Sequence, residues 1–197
     1  MRRSYRTAAY RVPAGRPRLG DIADILRPGM VLLVSKRGLF RRIVRAVTGS
    51  HWTHAALIDH NAGGIWIVIE AVAAGVIGQR LEHYFEDTRY DAILVRDPVL
   101  LGTPERLEVL RSAWLRVGRG YDPLGLLGIL LRRSLGLPIT TEFDIAGRDF
   151  CSEMSGWAFQ DGAGLALKPG VPPSQLAPGD LADAPALRDV WRWPALP

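Results

Sequence analysis

Apolar positions in this chain come in short runs separated by turn residues, and the spacing within each run predicts an element. Met30 to Ser35 (MVLLVS) follows a Pro28-Gly29 turn and predicts a buried strand. Asp21 to Leu26 precedes that turn as a short helical stretch. Leu39, Phe40, Ile43, Val44 and Val47 recur at helical spacing, with Arg41, Arg42 and Arg45 on the other face and Gly49 at the end. Thr53 to His60 and Ile65 to Ala71 (IWIVIEA) flank the turn-forming Asn61-Ala62-Gly63-Gly64 and predict a hairpin. Another strand is expected over Asp91 to Arg96 after a polar loop. Thr103-Pro104 opens a helix with Thr as N-cap, Leu107, Leu110, Trp114 and Val117 as its apolar stripe, and Gly118 as its stop. Cys151 to Gln160 predicts a second long helix, preceded by Asp149 and ended by Gly162. From Pro169 the chain is Pro-rich and reads as a surface crossing, before a strand-like LRDVWRW.

Mostly sequential strands with helices beside them indicate an α+β domain. A length of 197 residues fits one such domain. Residues 1–20 carry six arginines with Pro13, Gly15, Pro17 and Gly20 and no periodicity, and read as a basic arm ahead of a single domain over 21–197. Hydrophobic residues at 48% and charged residues at 23% exclude a disordered polar chain and a coiled coil. A formal net charge of +5 favours anionic partners without choosing among headgroups, wall polymers and nucleic acid. The N-terminus lacks the apolar core of a secretory signal, and no apolar run is long enough to cross a bilayer. A cytoplasmic location is therefore the default expectation, with export by another route left open.

The one cysteine, Cys151, excludes an internal disulfide and any multi-cysteine metal site. Its place at an expected helix start changes its chemistry, because backbone N–H groups there favour a thiolate and can also donate to an oxyanion. In the hairpin, a three-residue loop 61–63 pairs His60 with Gly64, so that paired residues sum to 124 and His54 faces Glu70 directly. A carboxylate there fixes the imidazole tautomer and raises the basicity of its other nitrogen. A thiol at a helix start, a histidine and an orienting carboxylate are the parts of an activated nucleophile. His51 and His54 stand three apart on a strand and face opposite sides, and no acidic or sulfur partners complete a metal set. Neither a metal nor another cofactor is expected.

The strings T-H-A-A-L-I-D, I-E-A, G-R-G-Y-D and F-C-S-E-M, in that order, resemble the permuted branch of the NlpC-type, papain-like cysteine peptidases. This YiiX-like group is related to lecithin:retinol acyltransferase-type enzymes and places its histidine before its cysteine, as here. The resemblance runs from about Arg27 to about Leu181. It implies a circularly permuted papain-like fold, an antiparallel sheet packed against a Cys-bearing helix. It implies Cys151 as nucleophile, His54 as general base and Glu70 as the third polar residue, with Tyr121 and Ser152 bordering the substrate. Acyltransferase relatives usually carry histidine at the third place, so Glu70 matches the bacterial peptidase-like branch.

The expected activity is that of a thiol hydrolase cleaving an amide bond through an acyl-enzyme, with a cell-wall peptide or a related amide as substrate. Acyl transfer, or hydrolysis of a thioester or lipid by the same residues, is the alternative enzyme reading. There Leu124, Leu126, Leu127, Ile129 and Leu130, in the apolar segment 124–137, would meet an anionic membrane surface beside Arg132 and Arg133. A catalytically silent basic binding module is the third reading. Nucleic acid is the least favoured partner, since the arginines are scattered and no recognition motif accompanies them.

Overall fold

Gly29, at φ 84°, turns the chain out of two 3-10 turns (Leu19–Asp21 and Ala23–Ile25) into β1 (Val31–Lys36). The computed structural model describes residues 15–38, 42, 49–60, 63–122, 128 and 147–194. Among these, β1 is followed by β2 (His54–His60), β3 (Trp66–Val72), β4 (Gly75–Arg80), α1 (Glu82–Glu86), β5 (Tyr90–Asp97) and α2 (Thr103–Leu115). Two short strands, β6 (Gly120–Tyr121) and β7 (Arg148–Asp149), lead to α3 (Cys151–Ala163), a 3-10 turn at Pro173–Gln175, α4 (Pro178–Ala182) and β8 (Arg188–Trp193). The helix expected over 39–47, the apolar segment 124–137 and most of the arm lie outside the described residues, apart from single positions.

Six of the described strands form one sheet in the order β4-β3-β2-β1-β5-β8, each pair antiparallel. Alternation sends Val31, Leu33, Ala55, Leu57, Ile69 and Leu94 to one face, where Val109, Leu110, Met154, Ala158 and Phe159 of α2 and α3 cover them. Leu32, Val34, Ala56, Ile58, Val68 and Ile93 point to the other face, under Ile22, Leu26, Leu81, Tyr84 and Phe85. The fold is thus α+β with both faces of an antiparallel sheet covered.

Four expectations change. The stretch after β3 holds β4 and α1 rather than a polar loop, because Gly75-Val76-Ile77 turns straight back to pair with Val72, Ala71 and Glu70. The buried face of α2 consists of Arg106, Val109, Leu110 and Ala113, with Gly102 as N-cap, while Leu107 (54%) and Val117 (39%) are exposed. That rotation is possible because Arg106 is neutralised by Asp97 at 2.7 Å and donates to the carbonyls of Leu101 and Pro98. The Pro-rich tail is core rather than a surface crossing: Leu176, Ala177, Leu181, Ala184 and Leu187 are buried. Three of its carbonyls, on Leu181, Ala184 and Leu187, accept from Arg96. Residues 15–20 also belong to the folded body, since the Arg16 guanidinium donates to the carbonyls of Tyr84, Phe85, Asp87 and Tyr90 and so caps α1.

Glycine sets both the position and the length of α3. A side chain at Gly162 would meet the Glu108 backbone at 2.6 Å, so α2 and α3 cross closely there, and the helix continues through Gly162 rather than stopping. The stop is Gly164, in the left-handed region at φ 61°, with the Leu165 N–H returning to the Phe159 carbonyl.

Candidate functional site

The site lies where the middle of the sheet opens. The β2–β3 ladder runs from His60↔Trp66 to Leu57↔Ile69 and ends there. Beyond that point β2 pairs only with β1, as far as Val34↔His54, and β3 pairs only with β4, as far as Val72↔Gly75. The ends of β2 and β3 therefore part, and the start of α3 meets the opening with Cys151. The thiol faces the backbone N–H of Ala55, on β2, and of Ser152, in the first turn of α3, and both favour its ionised form. An N–H that would otherwise point at a missing strand partner thus faces the sulfur.

The paired residues of the hairpin sum to 126 rather than 124, since five residues, 61–65, separate His60 from its partner Trp66. Ile65, expected in the strand, is 45% exposed in the turn. Slippage by two residues preserves the face on which every side chain lies. His54 and Glu70 therefore still share a face, but meet diagonally, and His54 Nε2 is hydrogen-bonded to Glu70 Oε2. Glu70 is fully buried, and its carboxylate also accepts from the Tyr84 hydroxyl on Oε2 and from Gln79 Nε2 on Oε1. With Nε2 committed to Glu70, Nδ1 is the nitrogen left to face the Cys151 thiol, whose charge favours the imidazolium.

Charge follows from this geometry. Burial pushes the Cys151 thiol up, but the His54 imidazolium and the N–H groups of Ala55 and Ser152 outweigh it and hold the thiol below its ordinary value. Burial likewise pulls His54 down, and Cys151 first, then Glu70, overcome it, so that the imidazole is pushed up to about 10. Glu70 would be raised by burial, yet the hydrogen bonds from His54 and Tyr84 keep it below the usual carboxylate range. These shifts all favour the charged row of thiolate, imidazolium and carboxylate over its neutral form. Such a pair presents a nucleophilic sulfur beside a proton donor, the requirement for attack on a carbonyl with expulsion of an amine. We expect alkylation of Cys151 to have a midpoint well under the free-thiol value of about 8.5; a midpoint at or above that value would make Cys151 an ordinary buried thiol.

The two other residues singled out in the sequence sit beside the thiol in different ways. Tyr121 pairs with Asp149, two residues before Cys151, and packs on Phe150 and Ala177. Its phenol is raised by burial and then by the negative charges of Cys151 and Asp122. The Ser152 hydroxyl is buried and donates to the Leu176 carbonyl at 2.7 Å, so this residue offers the site its backbone N–H, not its side chain. Tyr84, Gln79 and the Ala55 N–H escaped the sequence reading. No local pattern marks them, because β4 comes to Glu70 through strand pairing, α1 through packing on the sheet face, and the Ala55 N–H is left over only where β2 parts from β3.

Among the described residues no group of three or more His, Cys, Asp or Glu side chains forms a metal-binding cluster, and no helix is long and apolar enough to cross a membrane.

No protein-family model and no curated protein matches the chain. Among solved structures, it is similar to the crystal structure of the metalloprotein YiiX from Escherichia coli O157:H7, with a TM-score of 0.65 and 18% identity over 85% of this chain and 98% of that one. At that identity the likeness is one of fold, and the chain has a YiiX-like α+β fold.

Proposed function

We propose that the protein is a thiol hydrolase that cleaves an amide bond, in a cell-wall peptide or a related amide, on a permuted papain-like scaffold of the NlpC type. One observation carries this reading: Cys151 at the start of α3, His54 and the buried Glu70 stand in a row, with His54 hydrogen-bonded to Glu70 and paired electrostatically with the thiol. In this mechanism the thiolate attacks the carbonyl carbon, and N–H groups of the first turn of α3 stabilise the oxyanion. His54 gives its proton to the leaving amine as the C–N bond breaks, which leaves a thioester on Cys151. The neutral imidazole then takes a proton from water, hydroxide attacks the thioester, and the acid product and thiolate are released. The order of the sequence motifs and the YiiX-like fold support the reading.

The test is a digest of purified peptidoglycan and a lipid panel, each beside a Cys151→Ala control and read by mass spectrometry. New amide-cleavage products that the control lacks are expected. Products confined to lipids or thioesters would move the assignment to acyl transfer or lipid hydrolysis. Failure of a thiol-directed activity probe to label Cys151 would point to a binding module. Glu70→Gln keeps the shape of the side chain but removes its charge, and turnover should fall roughly ten- to a thousand-fold. The fall should be smaller than for Cys151→Ala, because thiols ionise readily.

A further inference from the structure

The geometry points to Tyr84 and Gln79 as positioning residues that act through Glu70: a two-donor clamp that keeps the charge on this carboxylate and the proton on His54. This inference rests on the proposed Cys-His-Glu reading and names the groups that make its third member work.

Glu70 has no exposed surface, so water cannot solvate its charge. An isolated carboxylate in such a place takes up a proton instead. Here Tyr84 OH and His54 share Oε2, and Gln79 Nε2 holds Oε1. If the two neutral donors were lost, the nearest proton would be that on His54 Nε2. Its transfer to Glu70 would leave a neutral acid beside a neutral imidazole, and Cys151 would lose the cation that stabilises its thiolate. The clamp therefore acts on a thiol that it does not touch. Tyr84 also lies nearly parallel to the His54 ring, with centroids 6.2 Å apart and planes at 23°, and so limits the tilt of the imidazole.

The surrounding structure fixes both donors. Tyr84 is 1% exposed on α1, whose last carbonyls are held by Arg16. Gln79 stands on β4 opposite Val68, on the same face of the sheet as Glu70. The Tyr84 phenol is raised well above its ordinary value, by burial first and then by Glu70, and so stays a donor at working pH. The other titratable groups that act on this cluster are His83, which favours the Glu70 charge, and Tyr90, which is raised to about 12 and stays neutral.

The measurement is the pH dependence of Cys151 alkylation in the full chain, for the parent, Tyr84→Phe, Gln79→Met, Gln79→Glu and Glu70→Gln, with thermal melting as a check on folding. Tyr84→Phe and Gln79→Met should each raise the alkylation midpoint by about one pH unit, which makes alkylation about tenfold slower below the midpoint. Gln79→Glu, which replaces a donor with a second carboxylate, should raise it further. Should Tyr84→Phe melt at low temperature, Gln79→Met still carries the test, since its side chain is only partly buried. A parental midpoint in both Gln79→Met and Tyr84→Phe, with a raised one in Glu70→Gln, would overturn the clamp and leave the Cys-His-Glu reading intact. A parental midpoint in Glu70→Gln as well would overturn both.

Discussion

His54→Ala is expected to lower turnover about a thousand-fold or more while leaving the fold in place. Removing the imidazole takes away the cation that holds Cys151 ionised, the acid that protonates the leaving amine and the base that activates water. The fold should tolerate this, because His54 is the first residue of β2, at the open end of the ladder, and its ring keeps 18% of its surface exposed. Glu70 would still have Tyr84 and Gln79 as donors. The stability difference between parent and variant should itself vary with pH. A histidine whose folded pKa is raised from 6.5 to about 10 contributes stability that is fully present below 6.5 and is lost as pH rises to about 10. Glu70, held below its ordinary 4.5, contributes stability present above 4.5 and lost as pH falls through its folded value. Cys151, held below its ordinary 9.0 by His54, contributes stability present above 9.0 and lost as pH falls, which offsets the fading His54 contribution above 6.5. The melting temperatures of parent and variant should thus differ most between 6.5 and 9.0 and converge above about 10 and at acid pH. Turnover within a few-fold of the parent would remove His54 from the mechanism.

Arg106→Ala is expected to be the most destabilising of these changes, and it acts far from the chemistry. The guanidinium is 11% exposed, pairs with Asp97 (8% exposed) at 2.7 Å, and donates to the carbonyls of Leu101 and Pro98. Truncation leaves Asp97 as a buried charge without its cation, and two carbonyls without this donor. Breaking such a pair from one side costs about 3–5 kcal/mol, or a fall in melting temperature of about 10 °C for a chain of this size. Asp97→Leu added to Arg106→Met should recover most of that loss, because the unpaired charge disappears with its partner. Urea unfolding would check both, and a loss below about 1 kcal/mol for Arg106→Ala would mean that water reaches Asp97.

Arg106 also shows where local reading stops. The apolar residues of α2 describe a stripe through Leu107, Leu110, Trp114 and Val117, yet the helix turns Arg106, Val109, Leu110 and Ala113 inward. Helical spacing identifies the helix, but which face is buried depends on what covers it. Here Asp97 waits at the end of β5, and Asp59 of β2 accepts from the Trp114 indole N–H at 2.8 Å. The Pro-rich tail departs from its expected surface path for a similar reason. Its prolines punctuate the chain, but Leu176 and Leu181 are drawn inside because Ser152 and Arg96 satisfy the carbonyls around them.

By itself the sequence determined the strands β1, β2, β3 and β5, the start of α3 at Cys151, and the face shared by His54 and Glu70. These depend on alternation and helical spacing, which are properties of neighbouring residues. A sheet face survives a register slip of two, so His54 and Glu70 meet although the pairing expected for them does not form. Only the tertiary structure decided the register itself, the parting of β2 from β3 that opens a place for the thiol, and the arrival of Tyr84 and Gln79 at Glu70. Each of these depends on distances between segments far apart in the chain. Such distances are set by turn length, by which backbone groups find partners and by how buried charges are neutralised, and none of them leaves a periodic trace in the residues concerned.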